Sequence, residues 1–251
     1  MKYKLTLLLA LLGTLAFSQN TFTTDRPGQT ISAFNMPVGS FQIEAGFNYN
    51  GALIAQDDDL DKIYSMPIML RYGVLNFLEL RLENSYQILD SHFYPTEKGL
   101  ADFKLGFKVN LRKNEIHKTN YAFIGYVTFP QDDSPIGFSQ HTAGLTFAVN
   151  HRWGEKLSSA FNLGTIRDSN DIFHVISSFS TSMAISQLFS IFAEVYVDSF
   201  EPEYEYSRTD INYNIGASYL LSEKFQIDAF YGRGDSIQMN SFNVGFSWVI
   251  F

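Results

Sequence analysis

Residues 241–251 read SFNVGFSWVIF. Phe242, Val244, Phe246, Trp248 and Ile250 share one parity, while Ser241, Asn243, Gly245 and Ser247 share the other. Successive side chains of a strand point to opposite faces, so this alternation separates an apolar, aromatic face from a small, polar one. A soluble sandwich would pack such a face between two sheets, whereas a membrane barrel turns it toward lipid. At the close of a soluble chain the same strand would be an adhesive edge, which favours lipid. Phe251 falls one position past the apolar parity, so either it bends back to the interface or the paired strand ends before it.

The pattern recurs. Alternation marks strands over 40–50, 62–72, 77–87, 101–111, 121–129, 140–150, 157–166, 173–185, 189–199, 209–220 and 225–234, with 241–251 as the twelfth. Each has roughly the length of a tilted transmembrane strand. The links alternate too: 73–76, 151–156, 186–188 and 221–224 are short, with 112–120 longer than its class. Those between, such as 51–61 with QDDDLD and 200–208 with EPEYEYSR, are mostly longer and acidic. Short turns at one end and long loops at the other are the arrangement of an outer-membrane barrel, and an even strand count brings both chain ends to the periplasmic side. An open sheet is excluded in lipid because its unpaired backbone would have no water.

Charge obeys the same parity. Phe103, Leu105, Phe107, Val109 and Leu111 alternate with Asp102, Lys104, Gly106, Lys108 and Asn110, and Leu78, Leu80 and Leu82 with Glu79, Arg81 and Glu83. A cation facing lipid at mid-bilayer costs about 2–4 kcal/mol, so these charges face a lumen. The fold expected is an all-β, transmembrane, antiparallel up-and-down barrel of 12 strands. On that reading Leu105→Arg is costly and Gly106→Ser far cheaper.

The start of the chain fits export. Lys2 and Lys4 precede an apolar run from Leu5 to Phe17, and Ala16-Phe17-Ser18 offers small residues for cleavage near Ser18–Gln19. This is the form of a secretory signal. The organisation expected is a signal peptide over 1–18, an N-terminal segment over 19–38 and a barrel over 39–251. There is no Cys in the chain, which excludes a lipoprotein, a disulfide scaffold and a thiolate metal site. Beyond the leader no run is long and apolar enough for a membrane helix. The charge is negative, with 18 Lys+Arg against 26 Asp+Glu. That excludes nucleic acid as a partner, because nothing basic is gathered to neutralise phosphates.

Residues 23–49, TTDRPGQTISAFNMPVGSFQIEAGFNY, carry a more specific signal: Thr24-Asp25-Arg26-Pro27, Thr30, the Pro37-x-Gly39 turn, and Gln42-x-Glu44-x-Gly46. They resemble the start of a family of outer-membrane barrels named for a meta-pathway of phenol degradation, whose members are often described as transporters. The rest of the chain is similar to that family only in strand rhythm and length. The resemblance implies an outer-membrane barrel with a role in passage of small molecules, aromatic ones among the candidates.

The other motifs carry less chemistry. His92, His117, His141, His151 and His174 show no metal-ligand spacing, and G-x-S-x-G and G-x-x-x-x-G-K-[ST] are absent. No enzyme activity, metal or cofactor is expected, and flux would follow gradients. Outer-membrane phospholipase also has twelve strands and an exterior Ser–His pair. His141 shares parity with Ala143 and Leu145 and faces outward near the rim, where a girdle residue explains it more simply. Asp57, Asp58, Asp59 and Asp61 lack the Gly and Glu of a calcium loop and read as a solvated tip, with weak divalent-cation binding as the alternative. The RGD at 233–235 sits at a strand end and reads as chance.

The strongest constellation is the inferred lumen. The first four strands point Glu44, Arg71, Glu79, Arg81, Glu83, Asp102, Lys104 and Lys108 inward. The next four point mainly Ala122, Tyr126, Thr128, Thr142, Gly144, Thr146, Asn162, Gly164 and Ser178. The charged wall braces the barrel, and the neutral wall offers a path. Residues 23–37 cannot be a strand, because Pro27 and Pro37 remove ladder donors. Ile31, Phe34 and Met36 suit a free tail poorly. The segment is therefore expected to fold into the periplasmic mouth, with Asp25 and Arg26 in the lumen and Arg26 paired to Glu44, Glu79 or Glu83. The function expected is a channel or transporter for passive passage of small solutes. A structural or adhesion barrel and a lipid-modifying enzyme are the alternatives. Expected partners are outer-membrane lipid and lipopolysaccharide, the barrel-assembly machinery, and a small-molecule solute.

Overall fold

Thirteen strand segments build the wall, in the order β1 Phe41–Ala52, β2 Lys62–Leu75, β3 Leu78–Asp90, β4 Glu97–Leu100, β5 Phe103–Asn110, β6 Thr119–Phe129, β7 Ala143–Arg152, β8 Leu157–Arg167, β9 Phe173–Ala184, β10 Phe189–Phe200, β11 Arg208–Ser222, β12 Phe225–Gly234 and β13 Met239–Val249. The computed structural model describes residues 23–52, 62–91, 94–111, 118–131, 134–137, 141–168, 170–201, 207–235 and 239–251. The leader, the Asp57–Asp61 acidic cluster, His92 and His117 lie outside the described residues.

Every strand pairs antiparallel with its neighbours, and the ring closes where β1 joins β13. Trp248 lies opposite Ile43 there, and Ser247 opposite Glu44. β4 and β5 are two parts of one barrel strand. Leu100 pairs with Tyr86, but Lys104 pairs with Glu83, so one extra residue sits between them. That bulge at Ala101–Asp102 reverses the parity, which is why the alternation stops at 101 and residues 97–100 read as loop. The fold is thus a closed, twelve-strand antiparallel barrel with one interrupted strand.

The outer surface is apolar. Leu80, Leu105, Phe161, Leu163, Phe179, Ile215, Val244 and Trp248 are all exposed, whereas Arg71, Lys108, Gln42, Glu44, Glu79 and Ser247 are fully buried. Water would not tolerate a continuous belt of this kind, and lipid requires it. The protein is an outer-membrane barrel. Val249 is the last paired residue of β13. Phe251 leaves the ladder and stacks on Phe41 at a centroid distance of 5.8 Å, while Phe41 N donates to Phe251 O at 3.0 Å. The final aromatic therefore seals the β1–β13 seam.

Leu105 is 50% exposed, mid-strand between Leu82 and Val127. Leu105→Arg should destabilise the barrel by about 2–4 kcal/mol in bilayer refolding. Gly106 is a poor inward control. A Cβ there would lie 2.9 Å from Gly125 O and 3.3 Å from Tyr126 Cβ, so Gly106→Ser strains the ladder and is not cheap. Ser182 opens onto the wet mouth, and Ser182→Arg should cost about 0.5 kcal/mol or less. Equal losses for Leu105→Arg and Ser182→Arg would refute the facing.

Candidate functional site: the occupied lumen

Between residue 23 and β1 the chain runs inside the barrel. Up to residue 38 its backbone is not in the ladder, which it joins at Gly39 and Ser40 through Gly73, so its polar groups must find other partners. They find inward side chains. Gln29 N and Thr30 N donate to the Glu194 carboxylate on β10, at 2.9 and 2.6 Å. Ile31 N donates to Asn162 Oδ1 on β8, Ala33 N to Asn150 Oδ1 on β7, and Met36 N to Glu79 Oε2 on β3. Asn110 on β5 donates to Ala33 O at 2.6 Å. Thr30 meets Ser178 on β9 and Thr24 meets Ser247 on β13, both hydroxyl to hydroxyl. A segment that touches so many strands around the ring crosses the lumen. Twelve strands leave room for such a chain, whereas about eight strands enclose little more than side chains.

Small residues make that room. Ala33 packs with Ile31 against Ala122 and Ile124 of β6 and Ala148 of β7, so at this level the segment covers the neutral wall. Gly28 lies against Glu194, and a Cβ there would stand 2.6 Å from its Oε2. Gly39 takes φ +78°, and the turn it forms passes so near Gly73 that a Cβ on Gly73 would meet Pro37 O at 2.0 Å. Only glycine permits that approach.

The charged wall forms one network with the segment at its centre. Arg71 binds Glu79 through Nε and Nη2 at 2.8 and 2.9 Å and Glu44 through Nη1 at 2.7 Å. Asp25 accepts from Lys108 Nζ at 2.9 Å on both oxygens and lies 3.0 Å from Arg81 Nη2 and 3.8 Å from Arg71 Nη2. Three carboxylates thereby face three cations in a region sealed from water. Dry charges hold only when paired and bonded in this way. Glu83 and Lys104 extend the network as a partly exposed pair at 3.1 Å, with Arg81 Nη2 3.7 Å from Glu83 and Lys104 4.6 Å above the Tyr126 ring. Asp102 accepts from Gln131 N at 3.1 Å and tethers the 131–137 loop, where Ser134 Oγ also donates to Leu100 O.

Arg26 is not where the sequence places it. It donates to both Asp228 oxygens on β12, with Nη2 at 2.9 Å, and to Asn243 on β13. Glu44 and Glu79 are occupied by Arg71, and Glu83 by Lys104. The guanidinium lies over Gly46 and Gly245, which pair across the β1–β13 seam. A Cβ on Gly46 would come within 2.7 Å of Arg26 Nη1. The same Cβ would lie 2.8 Å from Val244 O and strain the ladder, so in a variant that still folds Gly46→Ala should push Arg26 off Asp228 and reproduce the conductance of Arg26→Ala in planar bilayers. Conductance unchanged from wild type in Gly46→Ala would refute this packing. Parity also places Glu194 and Asp228 on the inner face, but it ranks them no higher than Tyr196 or Asp198. Only the path of the segment singles them out.

A cavity of about 320 Å3 remains beside the segment at the short-turn end. Ser158, Ser182, Ser190 and Ser218 line one side, and Phe34 and Phe192 contribute apolar surface. Elsewhere, His141 is exposed, its Nδ1 lies 2.8 Å from Thr128 O, and its ring meets Phe129 edge-on. His174 stacks on Phe200 between Asp198 and Asp168. Among the described residues no group of His, Cys, Asp and Glu could hold a metal ion.

The profile of a family described as "Putative MetA-pathway of phenol degradation" matches residues 24–248, nearly the whole barrel and most of the segment. The chain belongs to this family. Among solved structures it is similar to an outer membrane channel from Pseudomonas putida F1, with 15% identity, TM-score 0.69, and 90% of this chain and 99% of that chain covered. It is similar to the NanC porin at 10% identity and TM-score 0.57, covering 82% of this chain and 98% of that one. A monoaromatic hydrocarbon channel, CymD, matches at 11% identity and TM-score 0.50, over 85% and 89% of the two chains. These likenesses establish the barrel fold. No curated protein matches the chain.

Proposed function

We propose that this family member is an outer-membrane channel for small solutes, with residues 23–38 as its plug. The observation that carries the reading is how the segment is held. Its backbone bonds to inward side chains such as Glu194, Asn162, Asn150 and Glu79, and it has no place in the strand ladder. Contacts of this kind can be exchanged for water without opening the wall.

The cavity of about 320 Å3 supports passage of molecules with an apolar or aromatic body, through Phe34 and Phe192. The channel named for monoaromatic hydrocarbons among the similar structures is consistent with that class. No nucleotide-binding motif is present in the sequence, so flux is passive and follows gradients. The protein catalyses no reaction in this reading. Asp25, Arg26, Glu44, Arg71, Glu79, Arg81 and Lys108 hold the plug. Glu83, Asp102 and Lys104 line the outer half.

Liposome swelling and single-channel recording on the purified, refolded protein test the proposal. Solute-dependent swelling is the expected result. A folded barrel that passes no solute in either assay would return the protein to the structural class. Phospholipid hydrolysis abolished by His141→Ala would make it an enzyme.

A further inference from the structure

The bonding of Lys108 is unusual for a wall residue. It is fully buried on β5, yet among the described residues its ammonium bonds only to the segment: both Asp25 oxygens and Phe34 O at 3.2 Å. Arg81 on β3 leans the same way: its Nη2 lies 3.0 Å from Asp25 and 3.7 Å from Glu83 on the wall, while its buried Nε and Nη1 have no hydrogen-bond partner among the described residues. Arg71 differs, because Glu44 and Glu79 on the wall satisfy it whether or not the segment is present. If the segment moves, Lys108 loses the carboxylate it bonds and Arg81 keeps only the longer 3.7 Å contact to Glu83, so both cations turn to a new anion. A pure anchor would leave no donors idle while the segment is seated.

We propose that Lys108 and Arg81 form a carboxylate-binding site on the solute path, which Asp25 of the plug fills when no solute is present. The site takes a small monocarboxylate with an aromatic or apolar body. Two cations, one with a planar guanidinium, match a carboxylate's paired oxygens. Asp25 lines the cavity of about 320 Å3 together with Phe34 and Phe192, and Lys108 and Arg81 lie behind it, so release of Asp25 opens their carboxylate site beside a place for the ring. A solute that binds here replaces Asp25 and shifts the plug toward its released position, because it binds that state better. Neutral analogues lack the head that competes. The inference rests on the channel reading above.

The test uses the full mature chain in detergent, with benzoate as probe and benzamide as its neutral counterpart, read by calorimetry. Asp25→Asn should bind benzoate at least about tenfold more tightly than wild type, the lower range for altering a buried charge pair. Benzamide should show no such gain, and adding Lys108→Gln should abolish the gain for benzoate. An equal gain for both ligands, no gain for either, or a benzoate gain that survives Lys108→Gln overturns the site. Should Asp25→Asn fail to refold, the wild-type chain decides: saturating benzoate should raise single-channel conductance and benzamide should not, and equal responses overturn the proposal. A barrel that binds benzoate as expected but passes no solute ends the channel reading alone. One that swells liposomes without preferring benzoate ends this site alone.

Discussion

Deleting residues 20–36 from the mature chain is expected to leave a folded barrel whose single-channel conductance rises severalfold. The ladder that closes the ring, β1 with β13 and β2 with β3, contains no residue of the segment. The groups it would abandon, Glu194, Asn162, Asn150, Lys108 and Arg81, would become wet rather than remain dry and unpaired. Hydration replaces the lost bonds, so the penalty is smaller than the number of contacts suggests. Arg26→Ala should raise conductance by a smaller step, since the Glu194 and Asp25 attachments persist. A folded deletion variant with wild-type conductance would end the plug reading.

Removing Arg71 while the segment stays seated should have the larger effect on stability. Its guanidinium is the shared partner of Glu44 and Glu79, all three fully buried. Arg71→Leu would leave two dry carboxylates facing each other, and the unfolding free energy in bilayers should fall by about 3–5 kcal/mol. The paired change with Glu79→Gln should recover part of that loss, because one stranded charge is removed with the cation. A loss below about 1 kcal/mol, the range of an exposed pair, would mean that water reaches the network.

Several features were legible without a fold. Phe103, Leu105 and Phe107 alternate with Lys104, Gly106 and Lys108, and the structure puts the first set outside and the second inside. The strand between Glu97 and Leu100 was not legible, because the bulge at Ala101–Asp102 reverses the parity on which the reading depends. The cost of Gly106→Ser was misjudged for a related reason. Parity says which side a residue faces, but not that Gly125 O lies 2.9 Å from where its Cβ would be.

The barrel, the facing of its strands and the inward set of charges can all be read from residue order. These follow from a two-residue period that each strand obeys independently of the others. Only the tertiary structure decided which charges meet. Arg26 and Asp228 are 202 residues apart in the chain, and they pair because ring closure brings β12 and β13 beside β1 and because Gly46 and Gly245 leave a bed for the guanidinium. Asp25 meets Lys108 and Arg81 for the same reason: in a closed lumen a carboxylate goes to the cations the wall pairs least, here Lys108 and an Arg81 held only at 3.7 Å by Glu83.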